Sequence, residues 1–527
     1  MRRRQFLGST GAVAGAAAGG AFLTACVPRA TPSYPPSTGE LFEGVGPFPS
    51  GVGSADPTPS SVLLWTRVHP QFDPGPGVDV QIELSRSPTF SPSALVATLG
   101  TTARAQNDHC ITVDAGGLEP GTTYWYRFRH TGGTSTTGRT RTAPAPGSGS
   151  QRVRIAAFSC QRWTQGWYTA HADLASLAND PATDVDLVVC LGDYIYDTGF
   201  ADKVYVPGRV DPIQDAVTRD EFRSKYRLYR SDPNLQAVHA LYPMVSVFDN
   251  HDGMDAPGDV QAPGALGAFF EHVPVRAPEP GRIWRDLRWG DSFELFMTDQ
   301  RSFRDPTLDE TGPLGTSTFE RPEILDPNRT MLGVAQRDWL IDGLCESTAQ
   351  WKVMGSQLMF WPWRTFGRFP WQPRGTGTYL NLTQWDGYIA ERNMILDRLA
   401  AHDVRDTLVL SGDSHVFSAS QVSPDVDDPY AVPRVVDLGT GSITSNNADE
   451  SDFPNDDATR PLLQAVNPNH LRYFESERHG YVVAELTPER TTVEFRSPRT
   501  ILQPTSPVDV LARLEVASGT QRIRRTV

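Results

Sequence analysis

The chain has 527 residues, more than one hydrophobic core usually organises, and its length predicts roughly two or three domains. Its 39% hydrophobic and 10% aromatic residues exclude a disordered or collagen-like protein. With 48 Lys and Arg against 62 Asp and Glu, the net charge is −14, so we expect no nucleic-acid partner. A small anionic substrate would need a local positive site, which metal ions could provide.

Residues 1–25 have the composition of an export signal. Three arginines at 2–4 precede a small apolar run over 11–21, and the segment contains no acidic residue. Arg3-Arg4-Gln5-Phe6-Leu7 resembles a twin-arginine signal, which serves proteins that cross the membrane folded. Leu23-Thr24-Ala25-Cys26 resembles a lipobox, in which Cys26 would be acylated; the alternative is an ordinary secretory peptide with a chance cysteine. We expect a periplasmic or cell-surface protein whose membrane contact is a lipid on Cys26.

Two segments of different pattern follow a Pro-, Ser- and Thr-rich tether over residues 26–40. Residues 41–147 carry short alternating runs at 61–65, 80–84 and 123–128, which predict an all-β sandwich. Pro, Gly and Ser are frequent over 142–150, which predicts a linker. Residues 148–527 should form the catalytic domain.

The second segment has nearly continuous apolar runs, as expected of strands buried on both faces in an α/β fold. Thr218-Arg219-Asp220-Glu221 is a capping box and predicts a helix from 222 to about 229. The predicted strands cover residues 153–158, 186–191, 244–248, 293–297, 351–355 and 407–410.

Polar side chains that can bind metal follow five of these six strands. Each has an ordinary explanation when taken singly, such as a turn aspartate or a buried cysteine. Ligands of open α/β sheets bind beyond the carboxyl ends of the strands, so we expect these segments to converge there. They are Cys160, Asp193 with Tyr196, Asn250 with His251 and Asp252, Gln357, and Asp413 with His415.

Several of these segments resemble the calcineurin-like metallophosphoesterases, and more narrowly their PhoD-type alkaline phosphatase and phosphodiesterase branch. The resemblance covers about residues 45–481 and includes the N-terminal stretch 53–67. It implies layered β-sheets between helices, preceded by the sandwich. The motifs that carry it are Phe158-Ser159-Cys160-Gln161, Gly192-Asp193-Tyr194-Ile195-Tyr196, Phe248-Asp249-Asn250-His251-Asp252 and Ser411-Gly412-Asp413-Ser414-His415.

The resemblance implies metal ions bridged by Asp193. Thiolate, phenolate and imidazole donors suit ferric iron, and these would come from Cys160, Tyr196 and His415. The oxygens of Asp193, Asn250, Gln357 and Asp413 would suit one or two calcium ions. A buried glutamine that caps backbone groups is an equal alternative for Gln357. The other cysteines, Cys110, Cys190 and Cys345, are too dispersed for a zinc knuckle or a dense disulfide framework.

The expected chemistry is in-line attack on phosphorus by a water whose pKa the two cations lower. His251 would contact the phosphoryl group and donate a proton, its ring oriented by Asp252 or Asp249. Asn250 and Arg162 would also bind substrate. Arg301 and Arg304 are further candidates for a phosphate clamp.

The leading hypothesis is a secreted, metal-dependent phosphoester hydrolase acting as a monomer on a small ester. One alternative is a phospholipase D-like phosphodiesterase. Another, of a different class, is a non-catalytic surface binding protein; the full set of expected ligands argues against it. Long loops over 198–214, 253–280 and 361–382 should determine which ester is cleaved.

Overall fold

The computed structural model describes residues 46–73, 75, 77–199, 205–312, 315–447, 450 and 456–526. The predicted export signal, the predicted tether and Cys26 lie outside these ranges. The strands are β1 (Val52–Ala55), β2 (Ser61–Arg67), β3 (Val78–Ser85), β4 (Leu95–Ala103), β5 (Cys110–Gly116), β6 (Thr123–His130), β7 (Gly133–Thr134), β8 (Gly138–Arg141), β9 (Val153–Phe158), β10 (Leu187–Cys190), β11 (Pro243–Ser246), β12 (Arg285–Trp289), β13 (Phe293–Met297), β14 (Thr316–Ser317), β15 (Trp351–Ser356), β16 (Arg364–Phe366), β17 (Thr378–Tyr379), β18 (Thr407–Ser411), β19 (Phe417–Val422), β20 (Val435–Thr440), β21 (Leu471–Glu475), β22 (Tyr481–Leu486), β23 (Arg490–Pro498), β24 (Val508–Ala517) and β25 (Ile523–Arg525).

The α-helices of the described residues all lie in the catalytic segment, between its strands. They are α1 (Thr169–Ser176), α2 (Arg219–Tyr229), α3 (Pro233–Leu241), α4 (Ala262–His272), α5 (Val334–Glu346), α6 (Ile389–Ala401) and α7 (Asp456–Val466). The predicted capping box is present at α2, where Thr218 and Glu221 exchange hydrogen bonds. Helix α3 was not predicted, although Asp232 caps it and Pro233 occupies its first turn, a typical start signal.

Two large sheets form the catalytic core. The first has the order β25-β24-β23-β22-β9-β10-β11-β1-β2-β5, and the second β12-β13-β15-β18-β20-β19-β21. Strands β9, β10 and β11 pair in parallel, as do β13, β15, β18 and β20. One apolar cluster takes residues from both sheets, among them Val189, Leu295 and Leu410. The predicted α/β core is therefore confirmed.

The N-terminal sandwich shares one of its layers with this core. A five-stranded sheet of β3, β4, β6, β7 and β8 packs on β1, β2 and β5 around Val62, Ile82 and Phe128. However, β1 also pairs in parallel with β11, so the layer continues into the catalytic sheet. The sequence predicted a sandwich joined only by a linker, because a periodic pattern identifies strands without identifying their partners.

Candidate metal centre

The candidate centre lies beyond the carboxyl ends of the parallel strands. Phe158, Cys190 and Ser246 are paired across β9, β10 and β11, so these strands end at one level. Cys160 and Asp193 follow two of these ends directly, and Asn250 follows the third. The second sheet adds Asp413, two residues after β18. The topology thus brings distant segments to one edge.

Three of the predicted ligands form a tight group. The Sγ of Cys160, a carboxylate oxygen of Asp193 and a ring nitrogen of His415 all lie within 4.8 Å of one another. The hydroxyl of Tyr196 is 3.4 Å from Nε2 of His415. Cys160, Asp193 and Tyr196 are buried and His415 is partly exposed, so four donors of four chemical types meet in one place.

The backbone at this centre adopts a left-handed conformation that residues other than glycine normally avoid. Left-handed φ angles occur at Cys160 (58°), Asp193 (52°), Asp413 (60°) and His415 (54°). Such angles are uncommon outside glycine and cluster at functional sites, where the surrounding structure imposes them. Four predicted ligands share this feature, so the fold holds these side chains in place at some cost to local stability.

Gly192 permits the approach of two of these segments. Its φ is 110°, and a Cβ added there would lie 2.4 Å from the Cβ of Asp249. No other residue fits between β10 and the segment after β11. The Gly-Asp pair therefore has a steric reason as well as a chemical one.

The segment after β20 orients the donors and was missed by the sequence analysis. The backbone carbonyl of Asn446 accepts a hydrogen bond from Nδ1 of His415 at 2.6 Å. Nδ1 is then the protonated nitrogen, and the lone pair of Nε2 faces the cluster, as metal ligation requires. Ser445 donates to the hydroxyl oxygen of Tyr196 at 2.5 Å. No sequence motif indicates these two residues. Asn446 acts through its backbone carbonyl, which any residue could supply.

Burial and like charge shift the titration of the donors. Burial raises the pKa of the Cys160 thiol, and nearby Asp193 raises it further. The pKa of Asp193 is raised by burial and by Asp249, Asp252 and Asp413, and that of Tyr196 by burial and Asp193. Burial lowers the pKa of His415 to about 4. A buried set of potential anions with one neutral imidazole is the donor set that a multivalent cation stabilises, so the residues fit a metal.

The second predicted position is organised around a buried arginine. Nη2 of Arg301 donates to Oδ1 of Asp413 at 2.8 Å and to Oδ1 of Asn250 at 3.2 Å. Its Nε donates to Asp249. Gln384 donates to the other oxygen of Asp413. Arg301 therefore orients two predicted ligands, a role that sequence analysis had not given it.

Gln357 follows the end of β15, as predicted, but its side-chain amide forms hydrogen bonds with backbone groups. Its Oε1 accepts from the backbone N–H of Gln300 at 3.1 Å, and its Nε2 donates to the carbonyl of Phe248 at 3.0 Å. These bonds fit the capping alternative rather than ligation. They tie β15 to the segment that carries Asn250.

His251 lies beside the cluster, and its partner differs from the prediction. Its Nδ1 donates to Oδ1 of Asp197 at 2.9 Å, and its ring stacks on Tyr196 with centroids 4.2 Å apart. The side chain is 32% exposed, so it can reach a substrate. Asp252 instead accepts backbone N–H groups of Tyr194 and Ile195.

The expectation that Asp252 or Asp249 orients His251 is therefore wrong. The carboxylate of Asp252 accepts backbone N–H groups, and that of Asp249 is paired with Arg301. Asp197 ends the Gly-Asp-Tyr-Ile-Tyr-Asp sequence, which was the available signal.

The other two candidate arginines are buried and engaged. Arg162 donates to the hydroxyl of Thr198 at 2.8 Å, and its guanidinium lies 5.0 Å from the centroid of the Tyr196 ring. Arg304 donates to the carbonyl of Thr383 at 3.2 Å and to Asp255. Both lie near the centre, but neither is an open phosphate clamp.

Comparison with known proteins assigns this two-sheet core, with the site at its strand ends, to a phosphoric ester hydrolase. Residues 155–495 match the model of the PhoD-like phosphatase, and residues 38–144 that of the PhoD-like phosphatase N-terminal domain. The chain belongs to the PhoD-like phosphatase family.

Two known proteins are similar over most of this chain. Alkaline phosphatase D of Bacillus subtilis (strain 168) is 30% identical over 539 residues, covering 97% of this chain and 86% of that protein. The solved structure of PhoD has a TM-score of 0.80 and 28% identity, covering 91% of this chain and 92% of that one. This homology argues against the non-catalytic alternative.

Proposed function

We propose that this protein is an exported, metal-dependent hydrolase of small phosphoesters. The observation that carries the proposal is the close group of buried Cys160 and Asp193 with partly exposed His415, and with Tyr196 beside it. Thiolate, phenolate and imidazole donors favour ferric iron at this position. Oxygens of Asp193, Asn250 and Asp413 would hold calcium, with Arg301 fixing the last two.

The chain's own residues would bind the ester and move the proton. Bound cations would supply an activated water and neutralise the phosphoryl oxygens. His251 donates a proton to the leaving oxygen through Nε2, because Nδ1 is engaged by Asp197. The Asp197 carboxylate stabilises the charged imidazole before this transfer.

We propose that the enzyme reaches the cell exterior by the twin-arginine route with a lipid on Cys26, and acts there as a monomer. Among the helices of the described residues, none has the length and apolarity to span a bilayer. The predicted lipid would then provide the membrane contact.

Cys160→Ser tests the metal assignment. A neutral hydroxyl is a poor replacement for a thiolate, so the variant should lose iron and any charge-transfer colour, and activity on all esters should fall. Elemental analysis of natively exported protein, with a panel of monoesters, diesters and phospholipids, measures both metal and substrate class. Cys190→Ser, a buried cysteine outside the group, is the matched control. Wild-type iron content in Cys160→Ser would contradict the proposal.

A further inference from the structure

Two buried arginines face one exposed carboxylate at the mouth of the site. The side chains of Arg301 and Arg304 are 3% and 2% exposed, whereas that of Asp255 is 61% exposed. Oδ1 of Asp255 accepts from Nη1 of Arg301 at 3.2 Å and from Nη2 of Arg304 at 2.9 Å. A single oxygen of a solvent-exposed side chain thus joins two guanidinium groups.

Arg301 divides its donors between two directions. Nε and Nη2 hold Asp249, Asn250 and Asp413, while Nη1 is directed to Asp255. An anion that replaced the Asp255 oxygen would therefore leave the contacts to the predicted metal ligands in place. Positive charge in a fixed planar fork suits a phosphoryl oxygen at least as well as a carboxylate.

The backbone of Asp255 has hydrogen bonds besides those of its carboxylate. Its N–H donates to Oδ2 of Asp259 at 2.9 Å, and its carbonyl accepts from Nη2 of Arg304 at 2.7 Å. The side chain can consequently turn into solvent without release of the segment. Arg301 contacts both Asp255 and Asn250, the residue before His251, which connects this arrangement to the segment of the proposed proton donor.

We propose that Arg301 and Arg304 form a second anion site, for a phosphoryl group that the substrate carries in addition to the one hydrolysed. Asp255 occupies this site in the free enzyme and is displaced by that group. The inference rests on the proposed phosphoesterase function and deepens it, because it makes esters with two phosphoryl groups the preferred class.

The test compares two esters that differ in the second phosphoryl group, propane-1,3-diol bisphosphate and 3-hydroxypropyl phosphate. The wild-type holoenzyme should show the higher kcat/KM on the bisphosphate. Asp255→Asn should increase the ratio of the two kcat/KM values by roughly tenfold, the effect of removing the negative charge from the competing acceptor. Arg304→Gln should lower the ratio toward one, because only Nη1 of Arg301 then remains for the second phosphoryl group.

Asp259→Asn is the matched control. The carboxylate of Asp259 accepts the backbone N–H groups of Asp255 and Ala256, and neither bond involves an arginine. Its ratio should equal that of the wild type. If Asp259→Asn raises the ratio as much as Asp255→Asn, loosening of the segment is the cause and the proposal is wrong. An unchanged ratio in Asp255→Asn also overturns it.

Two further measurements keep the test decisive. If Arg304→Gln fails to fold, Arg304→Lys retains the charge without the fork, and its ratio should fall between that of the wild type and one. If the wild type hydrolyses neither these two esters nor any ester of the panel described above, the proposed function fails. Calorimetric titration of the bisphosphate into wild type and Asp255→Asn then decides the anion site separately, and tighter binding by the variant would support it.

Discussion

His251 is the side chain whose replacement should separate chemistry from metal binding. Its backbone N–H donates to Asp193 at 3.0 Å, a bond that alanine preserves, so His251→Ala should retain its metals. Loss of the proton donor should lower kcat on alkyl phosphoesters by roughly a hundredfold to ten-thousandfold. The defect should shrink for a nitrophenyl ester, whose leaving group needs little protonation. Near-wild-type kcat on alkyl esters with full metal occupancy would make His251 structural.

Asp197 should act only through His251. Asp197→Asn keeps the size of the side chain but removes the charge that stabilises the imidazolium, and we expect about a 10- to 100-fold loss of kcat with unchanged metal content. In a double-mutant cycle, Asp197→Asn should cost little more once His251 is alanine. Additive losses would show that Asp197 has a separate role.

The sequence predicted the donors of the metal group better than their partners. Cys160 and Asp193 follow apolar strands whose carboxyl ends must meet, so their convergence could be inferred. The direction of a long side chain could not be inferred. From sequence alone Arg301 could equally be an exposed phosphate clamp, and only the structure shows that it is buried against Asp249 and Asp413. For Gln357, ligation and capping are equally compatible with the sequence.

At the scale of elements, buried ion pairs hold the segment over residues 205–217 against the catalytic core. Lys225 of α2 and Asp211 form an ion pair of 2.6 Å with side chains 0% and 1% exposed. Arg209 pairs with Asp232 at 2.7 Å. The backbone N–H of Ala216 donates to the carbonyl of Asp197 at 2.8 Å, which connects this segment to the partner of His251.

Lys225→Met should therefore destabilise the protein and disturb the site. Removal of one partner leaves an unpaired buried carboxyl, at a cost of about 3–5 kcal/mol in the free energy of unfolding. Denaturant titration measures this cost, and limited proteolysis should find new cleavage within 205–217. The double variant Lys225→Met, Asp211→Leu removes both charges and should recover most of the stability. Equal instability of the single and double variants would exclude the unpaired charge as the cause.

At the scale of the molecule, the N-terminal sandwich and the catalytic core should not separate. Besides the pairing of β1 with β11, Asp56 forms two hydrogen bonds of 2.8 Å with buried Arg285. Trp65 donates to the carbonyl of Glu271 at 2.8 Å. These contacts join residues more than two hundred positions apart. The sequence revealed the strands of both parts, but not this pairing.

A chain that begins at Gln151 should therefore fail to fold. Truncation would expose the edge of β11 and leave Arg285 without its buried partner, and we expect insoluble protein. Removal of residues 1–45 is the control and should preserve folding and activity. Solubility, circular dichroism and activity measure the outcome. A soluble, active fragment would show that the shared sheet is dispensable.

The separation of the metal donors along the chain has a consequence for the order of maturation. Tyr196 and His415 are 219 positions apart, and their meeting requires both sheets. The unfolded chain therefore offers no preformed site, and complete coordination of the metal requires the folded chain. We expect the ion to be acquired in the compartment where the protein folds. If the protein leaves through an exporter of folded proteins, as residues 1–25 predict, the cytoplasmic metal supply would decide which ion the enzyme contains.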